Sequence, residues 1–269
     1  MTIRFTILAS GSTGNSLLVE SEDSKVLVDA GLSAKKIEQL MNERGVSGSE
    51  LDAILVTHEH SDHVKGVGVL ARKYDLPVYA NEKTWEALNK QLGELAEENK
   101  VVMDTGEVAH FGSLTVESFP VSHDAADPVG FCFYAGDVKL SLATDLGYVS
   151  QKVKEKVADS DALILETNHD VDMLRAGRYP WNVKRRILGD TGHLSNEAAG
   201  EALCDILSGK TRRVYLAHLS RDHNLMDLAK LTVNNVLEEH GITREERNVE
   251  LMDTYFDRPT KWDVLDPES

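Results

Sequence analysis

The chain has 269 residues, with 45 acidic side chains against 29 basic ones and a formal charge of −16. That length is compatible with one large α/β or sandwich domain, or with two small ones. Hydrophobic residues make up 41% and charged residues 28%, which excludes a disordered tail, a collagen-like repeat and a disulfide-stapled miniprotein. Whole-chain basic character, the usual footprint of a nucleic-acid binder, is absent, so net charge alone argues against DNA and RNA as partners.

From the N-terminus, the apolar run up to Ala9 is too short for a signal peptide, and no stretch approaches the roughly 18–20 apolar residues that span a bilayer. No membrane partner is therefore expected. Ile3–Leu8, Leu17–Glu20 and Val26–Asp29 read as strands, separated by a Gly/Ser loop and by the turn at Glu22–Ser24. Ser33–Arg44 reads as a helix that Ser33 caps and Gly45 ends. A buried strand at Ala53–Thr57, a helix at Val64–Tyr74, a strand at Val78–Ala80 and a helix at Lys83–Leu92 follow. Strands then dominate, at Val108–Phe111, Leu114–Val121, Val129–Tyr134 and Val138–Ala143. Strands at Ala162–Glu166 and Val214–Ala217 alternate with helices at Asn196–Leu207 and Leu225–His240. Each half is a strand-rich block followed by strand–helix units, which predicts an α/β fold of two mixed sheets with helices outside, an αββα sandwich. No linker marks a boundary, so a single domain over residues 1–269 is expected, with a peripheral tail after Phe256. Cys132 and Cys204 lack a CxxC spacing and read as buried thiols with no disulfide partner, in a cytoplasmic setting.

The chemistry starts at Thr57-His-Glu-His-Ser-Asp-His-Val64. Four potential ligands, His58, His60, Asp62 and His63, fall within six residues directly after a buried strand. His58 and His60 alternate and can project to one side of an extended turn. Asp62 and His63 follow where the chain begins to coil and can reach a second point. Two metal ions about 3.5–4 Å apart need such a shared loop.

This HxHxDH run resembles the defining motif of the metallo-β-lactamase superfamily, and the resemblance extends from about residue 3 to residue 220. It implies the metallo-β-lactamase fold and two divalent metal ions, zinc or manganese by the donor types. Asp29 is then the aspartate that braces the metal loop, His123 the third ligand of the first metal and Asp145 the bridging carboxylate. His218 is the last ligand of the second metal, a role for which His223 competes unless it contacts substrate. With Asp62, Asp145 and a bridging hydroxide as nucleophile, the centre would carry about +1, matched to an anionic phosphodiester.

Glu166 ends a predicted strand and His193 lies in Gly-His-Leu-Ser before a helix. Their order resembles the nucleic-acid-processing branch of the superfamily (tRNase Z, RNase J and other β-CASP enzymes). There the acid and the histidine sit beside the phosphate, and the histidine protonates the leaving oxygen or holds the anion. Asp62, Glu166 and His193 are thus the implied catalytic residues. Only 26 residues separate Glu166 from His193, too few for the inserted clamp domain of the β-CASP enzymes. Length and the runs Ala9–Ser16, His58–His63 and Leu216–Asn224 resemble the WalJ (YycJ, VicX) group more closely. That group implies a 5′→3′ exonuclease on DNA, with RNA as the other candidate substrate. A glyoxalase-type thioester or lactone hydrolase and a metal-containing regulatory protein are the alternatives. Ser10, Ser12 and Asn15 could offer donors to the site, or simply form a turn.

Charge is unevenly placed. Residues 173–221 hold nine basic and four acidic side chains, a net +5, which leaves −21 on the rest of the chain. Arg185 and Arg186 in that span could track phosphates, and Tyr179 and Trp181 could stack on bases or anchor a core. The acidic whole then argues only against broad, non-specific coating of nucleic acid.

Overall fold

The computed structural model describes residues 1–88, 91–207, 209–243 and 248–267. Its strands in chain order are β1 (Ile3–Ala9), β2 (Ser16–Glu20), β3 (Lys25–Val28), β4 (Ala53–Leu55), β5 (Val78–Ala80), β6 (Lys100–Val102) and β7 (Val108–Phe111). There follow β8 (Leu114–Pro120), β9 (Val129–Ala135), β10 (Val138–Ala143), β11 (Ala162–Glu166), β12 (Arg213–Ala217), β13 (Glu250–Met252) and β14 (Asp263–Leu265). The helices are α1 (Ala34–Asn42), α2 (Ser61–Val64), α3 (Val67–Tyr74), α4 (Glu82–Leu88), α5 (Gln151–Val157), α6 (Val171–Ala176), α7 (Trp181–Ile187), α8 (Asn196–Ile206) and α9 (Met226–Glu239). Two mixed sheets flanked by helices result, the class expected from the sequence. Two compact units are distinguishable, one of Met1–Pro120, Ala125–Val138 and Thr254–Ser269, the other of Val121–Asp124 and Lys139–Asp253.

In the first unit a seven-stranded sheet runs in the order β14-β1-β2-β3-β4-β5-β6. It is antiparallel from β14 to β3 and parallel from β3 to β6. Helical periodicity supplies its cover. Ile37, Leu40 and Met41 of α1 and Val67, Leu70 and Ala71 of α3 join Leu18, Leu27 and Ile54 of the sheet in one buried cluster. Burying each large aliphatic side chain contributes about 1.5–3 kcal/mol. Ser33 caps α1 by accepting from the Lys36 N–H at 3.3 Å, and Gly45, at φ +76°, follows its end. The helix expected over Val64–Tyr74 is instead two, α2 and α3, divided at Gly66. A Cβ there would lie 2.6 Å from the Leu32 carbonyl oxygen, and the Gly66 N–H donates to the Ala30 carbonyl at 2.7 Å. That close approach turns the chain before α3 begins. Of the helix expected over Lys83–Leu92, α4 supplies the first part, and residues 89 and 90 lie outside the described residues. The same unit holds the antiparallel meander β7-β8-β9.

The second unit is built on parallel pairings of β10, β11, β12 and β13. β11 is buried along its whole length, which is why Ala-Leu-Ile-Leu reads as an unbroken apolar run. At Gly200 of α8 a Cβ would come within 2.8 Å of Val236 of α9, so the missing side chain sets how closely these helices pack. Neither Cys132, buried in β9, nor Cys204 on α8 is in a disulfide. Among the described residues no helix is long and apolar enough to cross a membrane.

The segment after Phe256 carries structure that its sequence does not advertise. β14 pairs with β1, and the Thr260 N–H donates to the Ile7 carbonyl at 2.9 Å. Trp262 donates its indole N–H to the Arg44 carbonyl at 3.1 Å and lies 4.3 Å beneath the Arg4 guanidinium. We expect Trp262→Ala to cost about 2 kcal/mol through lost packing, hydrogen bond and cation–π contact. Urea denaturation checks this as a lower midpoint at unchanged m-value.

Candidate functional site

In the first unit the HxHxDH run leaves β4 as an extended loop and enters the single turn of α2. His60 is the N-cap residue of α2 but makes no side-chain capping bond. Asp62 and His63 lie in the turn itself. The rings of His58 and His60 meet edge-on with centroids 4.6 Å apart, and those of His58 and His63 lie 4.1 Å apart. The Asp62 carboxylate is 3.6 Å from His63 Nε2. The loop is clamped through its backbone. Asn15 N–H donates to the Asp62 carbonyl (2.8 Å), Ala30 N–H to the His63 carbonyl (2.7 Å) and Val129 N–H to the Thr57 carbonyl (3.0 Å).

Asp29 organises the side chains of this loop. It accepts from the Thr57 N–H at 2.9 Å, the Thr57 hydroxyl at 2.8 Å and His63 Nδ1 at 2.7 Å. Since the Thr57 hydroxyl gives its one proton to Asp29, it accepts from His58 Nδ1 at 3.0 Å. Both rings therefore carry their proton on Nδ1, which makes each Nε2 an acceptor.

The second unit repeats this logic around Glu166. Fully buried at the end of β11, Glu166 Oε1 accepts from His193 Nδ1 at 2.7 Å and His218 Nδ1 at 3.0 Å. Its Oε2 accepts from the Leu146 N–H at 2.6 Å and the Leu194 N–H at 3.4 Å. Burial alone would raise the pKa of this carboxyl, but the two histidines outweigh it and hold the group well below the usual carboxylate range. His123 donates from Nδ1 to the Gly192 carbonyl at 3.0 Å, with Nε2 3.6 Å from Asp145 Oδ1. His218 Nε2 lies 3.4 Å from the same oxygen. Asp145, Glu166, His193 and His218 each bring a potential ligand atom within 4.8 Å of the others. Glu166 itself is committed to its four donors.

His58, His63, His123 and His218 thus all pair Nδ1 with an oxygen, the arrangement that fixes the tautomer of metal-binding imidazoles. The first unit offers Asp62 beside His58 and His63, the second Asp145 beside His123 and His218, and in each unit these nitrogen and oxygen donors are of the kind that suits a divalent metal. Three residues near these ligands are in the left-handed region, namely Asp29 (φ 57°), Asp145 (φ 60°) and His218 (φ 56°). Each stands at or just past a strand end, where the backbone turn redirects the side chain.

The pattern of the family described as "Beta-lactamase superfamily domain" matches residues 24–219. The chain belongs to the metallo-β-lactamase superfamily. Within it, the chain falls in the WalJ/YycJ group. It is 51% identical to "Exodeoxyribonuclease YycJ" of Bacillus anthracis, covering 97% of this chain and 98% of that protein. With "Exodeoxyribonuclease WalJ" of Streptococcus pneumoniae it shares 49% identity over 87% of this chain and 88% of the other. The crystal structure of the metallo-β-lactamase fold protein YhfI from Bacillus subtilis matches at a TM-score of 0.72, with 18% identity, over 96% of this chain and 98% of that one. That likeness speaks for the fold.

Other residues singled out in the sequence fall elsewhere in this metallo-β-lactamase fold. Asn15 spends its side chain within the first unit, donating to the Asp62 carbonyl (3.4 Å) and lying 3.2 Å from His63 Nε2. Ser10 is buried and Ser12 exposed. His223 is buried, with its ring edge-on to Tyr179 at 4.4 Å and packed where a Cβ on Gly177 would fall 2.2 Å from Nε2. His218, by contrast, is grouped with Asp145 and Glu166. Arg185 is exposed, and Arg186 is paired with Asp124, with a second bond at 3.0 Å.

Sequence reasoning missed the supporting residues. Thr57 serves as a relay because it directly precedes the motif, and Asn168 donates to the His218 carbonyl at 2.8 Å. His169 is 1% exposed, and neither ring nitrogen has a hydrogen-bond partner among the described residues. Burial pushes its imidazole down to about 4.

Two outcomes follow from this geometry. A Cβ on Gly31 would lie 1.6 Å from the Asp62 carbonyl oxygen, so Gly31→Ala must displace the metal loop. We expect it to weaken metal binding by about 10–100-fold, measured by competition with a chelating dye, while circular dichroism is retained. From pH 6.5 down to about 4 the unfolded chain binds a proton at His169 that the folded chain refuses. Stability therefore falls with acidity by up to about 1 kcal/mol per pH unit in that window. His169→Phe should flatten this slope in denaturation series across the same range.

Proposed function

We propose that this chain, acting as one metallo-β-lactamase domain over residues 1–269 in the cytoplasm, is a two-metal exodeoxyribonuclease that digests DNA from the 5′ end. The near-full-length likeness to proteins named exodeoxyribonucleases carries this reading, and the oriented His and Asp donors support it. Those relatives give no support to the thioester-hydrolase and regulatory alternatives.

In this reading His58, His60, Asp62, His63, His123, Asp145 and His218 would hold two divalent ions. Zinc or manganese suits the donors. When bound, the ions supply Lewis acidity toward water and toward phosphoryl oxygens. The chain's own contribution is positional. Asp29 and Glu166 hold the imidazoles in one tautomer, so the donor atoms are in place before anything binds. His193 differs from the histidine ligands of its unit in access, its side chain being 19% exposed against 1% for His123 and His218. With Nδ1 fixed on Glu166, its Nε2 is the atom that reaches the leaving oxygen or a phosphate. Glu166 itself, with no exposed surface, touches no substrate and acts as a positioning residue.

Protein loaded with manganese or zinc should degrade 5′-labelled DNA, compared across single- and double-stranded DNA and RNA. His58→Ala should lower the rate more than about a hundredfold with the thermal midpoint of the metal-free protein retained. Wild-type protein that leaves every nucleic acid intact yet opens a thioester would overturn the proposal.

A further inference from the structure

Residues 175–188 contain five basic side chains and no acidic one, inside a chain of formal charge −16. These cations have different tasks. Lys184 is buried, and its ammonium donates to the carbonyls of Arg175 and Gly177 at 2.6 and 2.7 Å. Arg186 is taken by Asp124. Arg178 and Arg185 remain exposed, with no acidic partner among the described residues.

Two aromatic rings accompany them. Tyr179 is 37% and Trp181 57% exposed, a large apolar surface left in water. Trp181, Arg185 and Leu188 recur at i, i+4 and i+7 along α7 and its C-cap, so they share one face, and all three are exposed. Tyr179 is held from behind, its hydroxyl donating to Asp222 at 2.9 Å and its ring resting on that of His223. Lys184 fixes the preceding turn, so this surface is ordered before a ligand arrives and little entropy is lost on binding.

We propose that Arg178, Tyr179, Trp181 and Arg185 form a binding platform for a single-stranded polynucleotide. The rings stack on unpaired bases and the guanidinium groups take the phosphates between them. The proposal rests on the nuclease reading for its ligand class. Single strands are the occupant because a duplex hides its base faces in its own stack, whereas exposed rings bind by meeting such faces. Two available cations are also few for gripping a duplex, whose binding scales with the number of phosphates neutralised. The acidic remainder of the chain disfavours broad coating by a polyanion, which leaves local cationic stretches such as this one.

The test uses metal-free full-length protein, so that binding is read without cleavage. Of the chain's three tryptophans, Trp85 is buried and Trp262 partly buried. Oligodeoxythymidine and oligouridine should therefore quench emission in the wild type and not in Trp181→Phe, which still binds both. Trp181→Ala should raise Kd about tenfold for single strands at unchanged thermal midpoint, and by less than about twofold for blunt duplex. Arg185→Ala should reduce the slope of log K against log salt by about 0.7. The tighter of the two oligonucleotides identifies the preferred sugar. Unchanged single-strand affinity in Trp181→Ala, with a wild type that degrades DNA, would remove the platform and leave the nuclease reading standing. A wild type that neither binds nor degrades any nucleic acid would remove both.

Discussion

The Glu166 carboxylate carries a full charge with no exposed surface, and its neighbours are arranged to keep it ionised. A charge so placed is costly unless every lone pair finds a donor. Here two imidazole Nδ1–H groups and two backbone N–H groups supply them. The donors belong to His193, His218, Leu146 and Leu194, so satisfying one carboxylate also fixes two rings and the backbone beside Asp145 and His193. Asp29 plays the same part in its own unit, with Thr57 and His63 as donors. Each unit thus has an anionic hub, and the orientation of its ligand side chains follows from satisfying that hub.

Parallel strands make this economical. β10, β11 and β12 are in register, with Ala143 opposite Leu165 and Glu166 opposite Ala217. Residues just past these positions emerge at one end of the sheet, and Asp145, Glu166 and His218 are delivered together. Strand burial fixes the register, since a one-residue slip would invert every side chain. The apolar core therefore determines which polar groups converge.

That coupling explains what could be read from the sequence. The HxHxDH run was legible because four potential ligands crowd into six residues, the strands leading to Asp29, Glu166 and His218 were legible as apolar runs, and β10, which leads to Asp145, as an alternation of apolar and polar residues. Polar elements were not. β6, β13 and β14 each open on a charged residue, unlike the equally short β5, and α7 is mostly charged or exposed, so no periodic apolar face marks it. The hydrogen-bonding roles of Thr57, Asn168 and Asn15 were hidden for another reason. They depend on which backbone segments meet in space, and residue type alone does not carry that information. His223 lies five residues after His218 with the same chemistry, and what separates the two is spatial, His223 packing against Gly177 and Tyr179 while His218 bonds to Glu166.

The left-handed backbone at Asp29, Asp145 and His218 bears on how the protein tolerates change. This region is open to glycine, is visited by Asn, Asp and His several-fold more than by other residues, and costs most side chains about 1–2 kcal/mol. Asp145→Asn would thus delete charge while leaving the main chain at ease, whereas alanine or glutamate there would add backbone strain to any chemical loss. Even the one-methylene extension from aspartate to glutamate is not a neutral step at such a position. Few single-residue exchanges could therefore retune the donor set gradually, and a lineage adopting different metal chemistry would need concerted changes in backbone and side chain.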